Sequence, residues 1–557
     1  MKVALAQLNP TIGDFAGNCA KIETAWQKGR ERGAELVVTP ELSVCGYPPM
    51  DLLERPSFVR RGVEAVHSLA RRCAEGPALL VGFPEPNSSG AGNPLYNAAA
   101  VCQNGEITSI HRKCLLPNYD VFDEARWFEP ADQVQLAEVA GTRVAVTLCE
   151  DIWNNHFYWQ GRRRGSGPIE SLHELRPELV LNMSASPWHR AKHDLRLEIC
   201  RRQALRCSAP LVFVNQVGGQ DELIFDGTSM AVLADGSLAA RAAEFAEDLI
   251  VFDSSSGVGE VRPFAEGEIE RVERALVLGL GDYFRKSGGF TTAVVGLSGG
   301  IDSAVVATLA VRALGAENVI GVRMPSRYSS PGSLEDAEIL ARNLGIRMET
   351  LSIEPAFTTL LQTLSPILGD GPASKAEQML QARIRAILLM GISNKLGHIV
   401  LSTANKSELA TGYCALYGDM AGGLAPIADL GKQLVYELAE HLNRKGAVIP
   451  ASSIEKAPSA ELAFGQKDQD TLPPYPLLDK ILDFYVEQSS GPDDVGASDV
   501  PSDLFNKVTE MVDRNEFKRR QSAPALRITS KAFGVGRRVP IARLKMTGET
   551  APGQQPA

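Results

Sequence analysis

The sequence has no stretch approaching the roughly 18 consecutive apolar residues that a membrane-spanning helix needs. Its nine cysteines are scattered, with no CxxC or other paired metal spacing, which argues against structural zinc. An odd number of dispersed thiols is no disulfide framework either, and points to reduced cysteines in a cytoplasmic protein. The opening Met1-Lys2-Val3-Ala4-Leu5-Ala6-Gln7 lacks the apolar core and cleavage site of a signal peptide and reads as a β-strand. Positive charge is in short supply: 57 Lys and Arg against 67 Asp and Glu give a formal net charge of −10. Bulk nucleic-acid affinity needs the opposite balance, so Arg162-Arg163-Arg164 reads as a solvated surface loop. No repeat or biased tract dominates, so the chain is neither fibrous nor wholly disordered. The expected partners are therefore small molecules, with neither nucleic acid nor membrane among them.

What is present is an ordinary globular composition, 44% hydrophobic and 22% charged, spread over 557 residues. That length exceeds what one hydrophobic core organises, so two or three domains are expected. In the first half, strand-like runs alternate with amphipathic stretches: Glu35–Thr39, Ala78–Phe83, Ala98–Cys102, Arg143–Cys149, Leu179–Asn182 and Leu211–Gln216, then Gly227–Ala234 and Asp248–Phe252. Interleaved strands and helices predict an α/β layered core. Ser254-Ser255-Ser256-Gly257 breaks this rhythm before a helical segment at Ile269–Lys286, placing a boundary near residue 260. This divides the chain into a first domain at 1–260 and a second at 261–557. A new strand–helix series follows through Thr292–Leu297, Val319–Arg323 and His398–Leu401. Ser489–Ser502 reads as a mobile loop, and Thr547–Ala557 as a frayed tail.

Three strand-end residues in the first half suit one site. Glu41 follows Leu36-Val37-Val38-Thr39-Pro40, Lys113 follows Ile110-His111-Arg112, and Cys149 closes Val144-Ala145-Val146-Thr147-Leu148. Loops beyond strand ends are where α/β folds hold reactive groups. A thiol becomes a strong nucleophile when a base takes its proton. Glu41 can act as that base, and Lys113 can donate to the oxygen that gains charge as an amide carbonyl is attacked. Taken singly, each is unremarkable: an isolated cysteine at a strand end is ordinarily core filler.

In order and spacing, Thr39-Pro40-Glu41-Leu42-Ser43-Val44-Cys45-Gly46-Tyr47, His111-Arg112-Lys113 and Leu148-Cys149-Glu150-Asp151 resemble the nitrilase, or carbon–nitrogen hydrolase, superfamily. The resemblance implies an α-β-β-α sandwich and amide hydrolysis through a thioester. By it, Glu41 is the base, Lys113 the oxyanion stabiliser and Cys149 the nucleophile. It further places Tyr119, Ser186 and Lys192 around a glutamine substrate, with Tyr47, Phe122, Glu124 and Glu150 in the same pocket. Glu124 and Glu150 then either bind the substrate's α-amino group or orient Lys113.

The second half carries a different signal. The strand Thr292–Leu297 runs into Ser298-Gly299-Gly300-Ile301-Asp302-Ser303 and a helix over Ala304–Leu314. Paired glycines let the backbone approach an anion, and a helix N-terminus offers unpaired N–H groups. Ser298 and Ser303 add hydroxyl donors, and Asp302 suits Mg²⁺, which prefers oxygen ligands. The GKS/T ending of a Walker A loop is absent. SGGIDS instead resembles the PP-loop of the N-type ATP pyrophosphatases, implying a Rossmann-like parallel sheet, ATP contacts from Leu297 to Ser303, and activation of a carboxylate as an acyl-adenylate.

The SGGIDS loop alone leaves the acceptor carboxylate open. Ser402-Thr403-Ala404-Asn405-Lys406-Ser407-Glu408, Tyr417-Gly418-Asp419-Met420-Ala421-Gly422-Gly423 and Lys456-Ala457-Pro458-Ser459-Ala460-Glu461-Leu462 are similar to the glutamine-dependent branch of the NAD synthetase family. The resemblance puts Thr403 and Lys432 on ATP, Glu408 on the metal or the dinucleotide, and Lys518 on the substrate deamido-NAD. In Glu377-Gln378-Met379-Leu380-Gln381-Ala382-Arg383-Ile384-Arg385 the family usually has Asn where Met379 stands, and a thioether cannot replace an amide's hydrogen bonds. Gln378 or Gln381 is then the candidate partial substitute, with Arg383 and Arg385 as candidate cationic partners for deamido-NAD. Taken together, the resemblances imply a homo-oligomer, an octamer by family habit, in which ammonia from glutamine amidates an ATP-activated carboxylate.

Overall fold

The computed structural model describes residues 1–153, 168–265, 267–369, 375–491 and 500–543. Arg162-Arg163-Arg164, the tail Thr547–Ala557 and part of Ser489–Ser502 lie outside the described residues. The chain divides into two compact units, Met1–Glu266 and Gly267–Ala557.

The strands of the first unit are β1 (Lys2–Gln7), β2 (Leu36–Val38), β3 (Ala78–Pro86), β4 (Leu95–Gln103), β5 (Glu106–Arg112), β6 (Leu136–Val139), β7 (Thr142–Leu148) and β8 (Leu179–Ser184). They continue with β9 (Leu211–Asn215), β10 (Val217–Gln220), β11 (Leu223–Asp226), β12 (Met230–Val232), β13 (Leu238–Arg241), β14 (Asp248–Asp253) and β15 (Val258–Gly259). Among the described residues they make a seven-stranded sheet, ordered β15-β14-β1-β2-β3-β4-β5, a six-stranded sheet, β13-β12-β9-β8-β7-β6, and the hairpin β10-β11. Helices α1 (Phe15–Glu31) and α2 (Pro56–Arg72) contact the first sheet, and α4 (Lys192–Cys207) contacts the second and packs against α3 (Pro168–Leu175).

The strand sequences explain this layering. Their central residues are apolar on both faces, as strands covered on both sides must be. Val3 and Leu5, Leu36 and Val38, Val144 and Val146, and Leu179 and Leu181 meet in one core shared by the two sheets. The alternate residues Ala4, Val37 and Leu79 join α1 and α2 in a second core, and Ala145, Val180 and Phe213 join α4 in a third. A one-residue slip would exchange these faces, so each register is strongly specified. The strand expected over Gly227–Ala234 is shorter, Met230–Val232. Gly227 and Thr228 have φ of 68° and 54°, a left-handed turn that cannot continue a strand.

In the second unit, α5 (Glu268–Lys286) precedes β16 (Ala293–Gly296), α6 (Ile301–Leu314), β17 (Val319–Arg323), α7 (Pro331–Leu344) and β18 (Arg347–Thr350). Helices α8 (Glu354–Leu368) and α9 (Lys375–Leu396) lead to β19 (Ile399–Leu401), α10 (Lys406–Thr411) and α11 (Lys432–Leu442). The four strands are parallel in the order β18-β17-β16-β19. The order in which strands are added reverses between β16 and β19, the switch point at which open α/β sheets bind ligands beyond the strand ends. Both quoted loops of this half, Ser298–Ser303 and Ser402–Glu408, leave the sheet there. Helix α6 starts at Ile301, a turn earlier than the sequence suggests, because Gly300 is the last extended residue. Gly299 has φ of 78°, and a Cβ on it would lie 2.1 Å from the Ser333 carbonyl oxygen, so no other residue fits there unstrained.

Candidate active sites

In the first unit a single ammonium organises the polar centre. Lys113, just past β5, is fully buried and donates to Glu41 Oε1 at 2.7 Å and to Glu124 Oε1 at 2.8 Å. The Tyr47 hydroxyl donates to the same Glu124 oxygen at 2.7 Å. Asn97 Nδ2 donates to Glu41 Oε1 at 2.7 Å and to Glu124 Oε2 at 3.4 Å, and the Ala185 N–H reaches Glu41 Oε2 at 3.0 Å. Two buried carboxylates thus share one cation. Burial pushes the Glu124 carboxyl up to about 7, with Lys113 opposing and Glu41 adding to the rise. Burial alone would lower the Lys113 ammonium, but Glu124 and Glu41 outweigh it and hold it well above the usual lysine range.

Cys149 sits at the end of β7 with φ of 39°, a conformation that side chains bearing a Cβ rarely adopt. Such strain persists where surrounding structure enforces it, and it clusters at reactive sites. Its thiol is buried and lifted well above the ordinary cysteine range, first by burial, then by the Glu41 carboxylate, against the pull of Lys113. Glu41, Lys113 and Cys149 therefore act electrostatically on one another. Around them, the Tyr119 hydroxyl donates to both oxygens of Glu150, at 3.1 and 3.0 Å, and the Tyr119 and Phe122 rings stand edge to face at 5.5 Å. The Lys192 ammonium lies 4.2 Å from the centre of the Trp153 ring. Ser186 is buried, its N–H held by Asn215 Oδ1 and its carbonyl by Arg196.

The second unit holds a cavity of about 270 Å³ at the β16–β19 switch point. Leu297, Ser298, Gly300, Ile301, Asp302 and Ser303 line one side, and Thr403, Glu408 and Lys432 face them. The Lys432 ammonium reaches Asp302 Oδ2 at 2.5 Å, and Asn405 Nδ2 reaches Asp302 Oδ1 at 3.0 Å. Asn405 also caps α10: its Oδ1 accepts from the Glu408 N–H while Glu408 Oε2 accepts from the Asn405 N–H. One asparagine therefore aims both carboxylates. Burial raises the Glu408 carboxyl well above its usual range, Asp302 adds to this, and Lys432 opposes. A further wall, Lys456–Leu462, is tied to the start of α7: Lys456 Nζ donates to Ser333 and Asp336, and Glu461 accepts from Ser330 and Ser333. Arg385 projects into the cavity, lowered by burial to about 10 and supported by Glu461 and Asp419.

Comparison with known proteins places this pair of sites. The carbon–nitrogen hydrolase family profile matches residues 2–263, and the NAD synthase profile matches residues 272–522. A glutamine-dependent NAD(+) synthetase from Synechocystis sp. is 47% identical over 549 residues, covering 97% of this chain and 98% of that protein. The chain belongs to the glutamine-dependent NAD synthetase family. A Thermotoga maritima protein of that name is 41% identical over 97% of this chain and 98% of its own length. A glutamine-dependent NAD+ synthetase from Acinetobacter baumannii, solved in complex with adenosine diphosphate, is 40% identical with a TM-score of 0.76, covering 97% of this chain and 98% of that one.

Within this NAD synthetase framework, Glu41, Tyr47, Lys113 and Glu124 are joined directly by hydrogen bonds, and Cys149 is coupled to them by charge. Gly299 shapes the second loop from behind. Met379, Arg383 and Lys518 are not among the cavity-lining residues. Arg383 Nε donates to the Leu416 carbonyl, Lys518 Nζ to the carbonyls of Gly412 and Cys414, and buried Gln381 to the carbonyl of Leu462. Asn97 and Trp153 carry no motif in the sequence, and Asn405 stands inside a motif without a role of its own. An amide next to the apolar run Ala98–Cys102 is the clue to Asn97, and an Asn three residues before a glutamate the clue to Asn405.

Proposed function

We propose that the first unit hydrolyses glutamine to glutamate and ammonia, and that the second uses ATP to amidate deamido-NAD to NAD, releasing AMP and pyrophosphate. The observation that carries this is the coexistence in one chain of a strained, buried thiol beside a carboxylate–ammonium–carboxylate cluster and a switch-point cavity lined by SGGIDS and Glu408.

In the first unit the Cys149 proton is held by a raised pKa, so attack on the amide carbonyl requires Glu41 to take that proton as the carbon–sulfur bond forms. Lys113 faces the charge that develops on the oxygen. Glu41 then returns that proton to the amide nitrogen, so collapse of the tetrahedral species breaks the carbon–nitrogen bond, expels ammonia and leaves a thioester, and water then releases glutamate. Tyr119, Ser186, Lys192, Phe122 and Glu150 form the glutamine pocket in this reading.

In the second unit the N–H groups at the start of α6, the Ser298 and Ser303 hydroxyls and Lys432 suit the phosphates of ATP. Among the described residues no cluster of three or more His, Cys, Asp or Glu side chains has a metal-binding arrangement. Asp302 and Glu408 fit Mg²⁺, which binds through one or two carboxylates and takes its remaining ligands from phosphate and water. When bound, the ion would neutralise phosphate charge as the nicotinate carboxylate attacks the α-phosphorus and pyrophosphate departs. Ammonia then displaces AMP from the acyl-adenylate. Contacts of deamido-NAD with Met379, Arg383, Glu408 and Lys518, a cytoplasmic homo-oligomer, and transfer of ammonia without release to solvent belong to the same reading.

The test compares NAD formation from deamido-NAD, ATP and Mg²⁺ with glutamine or ammonium as nitrogen source. Cys149→Ala should abolish the glutamine-driven reaction and leave the ammonium-driven one. Absence of NAD from either source in the folded native chain would refute the acceptor assignment. Light scattering tests the oligomer.

A further inference from the structure

Asp151 lies two residues past the nucleophile, on the short 3-10 turn Cys149–Ile152, and is fully buried. Its two carboxylate oxygens hold two different segments. Oδ2 accepts from the N–H of Leu148 at 2.9 Å, closing the turn around Cys149 from the residue before it to the residue two beyond. Oδ1 accepts from the N–H groups of Cys114 at 2.9 Å and Leu115 at 2.8 Å, the two residues that follow Lys113. One rigid side chain therefore bridges the nucleophile's turn and the segment carrying the ammonium.

Neither segment is held in this relation by sheet pairing. β5 and β7 belong to different sheets, β5 ends before Lys113, and β7 ends at Leu148, before Cys149. Lys113 is otherwise anchored through its own backbone, N–H to the Asn97 carbonyl and carbonyl to the Ala131 N–H, both at 2.9 Å. These bonds fix it against β4 and the segment that leads into β6, not against Cys149. Cys149, at φ of 39°, is in a conformation that its neighbours must impose.

We infer that Asp151 is a positioning residue for glutamine hydrolysis: it enforces the Cys149 turn and sets its spacing from Lys113. It touches neither substrate nor reacting atoms. Its burial without a direct cationic partner fits this use, because three N–H groups satisfy it in place of a countercharge. Burial raises its carboxyl to about 6, those N–H groups oppose the rise, and Lys113 is the charged group that acts on it. The neighbouring Cys114 thiol feels it in turn.

This inference rests on the proposed roles of Cys149 and Lys113, and the test keeps the two apart. Asp151→Asn leaves one oxygen acceptor and turns an amide NH₂ toward the other anchor, so one segment is released. In the full-length protein, the expected result is a fall in kcat for glutamine hydrolysis of about 100-fold with glutamine KM changed less than about threefold, since misplacement of roughly 1 Å costs that much in rate. Ammonium-driven NAD synthesis should stay at the native level, which certifies that the variant is folded. Should Asp151→Asn not fold, Asp151→Glu keeps the charge and both acceptors but moves them by about 1.5 Å, with the same selective loss expected. A folded variant with near-native kcat, or one whose kcat and ammonium-driven activity fall together, overturns the inference. Cys149→Ala run in parallel separates the failures: if it still hydrolyses glutamine, the site assignment itself is wrong.

Discussion

Lys432 meets Asp302 with its ammonium 2.5 Å from the carboxylate, at the spot where a phosphate-bound cation would be needed. Without a ligand, the lysine supplies the positive charge that Asp302 and Glu408 require, and the two carboxylates in turn hold its pKa above the usual range despite burial. Lys432→Met should therefore tighten nucleotide-free Mn²⁺ binding several-fold, because like-charged carboxylates lose their competitor for the metal, while NAD formation falls about 100-fold with the loss of a phosphate donor. Manganese titration followed by electron paramagnetic resonance measures the first effect. Unchanged or weaker metal binding would show that Lys432 and the ion do not compete.

Gly82 in β3 lies against the turn that carries Glu41. A Cβ there would fall 2.4 Å from the Leu42 nitrogen and 3.0 Å from the Glu41 carbonyl carbon. Gly82→Ala should displace the turn that carries Glu41, lowering stability by about 1–3 kcal/mol. Glutamine-driven synthesis should suffer more than ammonium-driven synthesis. Urea unfolding together with both activities decides this; equal loss of the two activities would mean general destabilisation only.

Asp419 gives a pH signature. Burial raises its carboxyl to about 6, against the N–H of Ala415 at 2.6 Å, so the folded chain keeps a proton that the unfolded chain releases near pH 4. Its contribution is complete below about pH 4 and is lost as pH rises toward 6, on the order of 3 kcal/mol in all. Asp419→Asn, which cannot ionise, should lack that part of the decline. Urea melts of both proteins at several pH values between about 4 and 7 report the difference; parallel curves would place Asp419 in its ionised form throughout.

Lys518 donates to the Gly412 carbonyl at 2.7 Å and the Cys414 carbonyl at 2.9 Å, satisfying groups at and beyond the end of α10. Lys518→Met should cost about 1–3 kcal/mol of stability, as loss of a charged donor to partly buried carbonyls does. Chemical unfolding is the check. A raised KM for deamido-NAD at unchanged stability would show instead that this lysine leaves the carbonyls to meet the dinucleotide.

Most of the fold was legible because its strands are apolar on both faces, a pattern that survives without knowledge of neighbours. Glu41, Lys113 and Cys149 end such runs, but only the three motifs around them, taken together, marked them out. Asn97 had no such mark, since one amide in a strand looks like an exposed position until β4 is laid antiparallel to β3, with Pro84 opposite Asn97. The reach of Arg383 and Lys518 was equally hidden, because a cation's sequence position does not reveal whether it meets a carbonyl or a ligand. Glu408 reads as an ordinary first-turn glutamate, and its capping bond with Asn405 shows that it is one; the same bond also orients it toward Asp302.

The adjacency of β16 and β19 has a consequence for divergence. Val295 and Leu401 are direct partners in the sheet, so the loops bearing Asp302 and Glu408 depart side by side, and main-chain bonds set their spacing. Insertions after β17 or β18 leave that spacing intact, and side chains on the outer helices can drift. Adding or deleting one residue within either loop would rotate its acid away from the other. In distant descendants of this chain, the lengths of these two loops should outlast most of the residues around them.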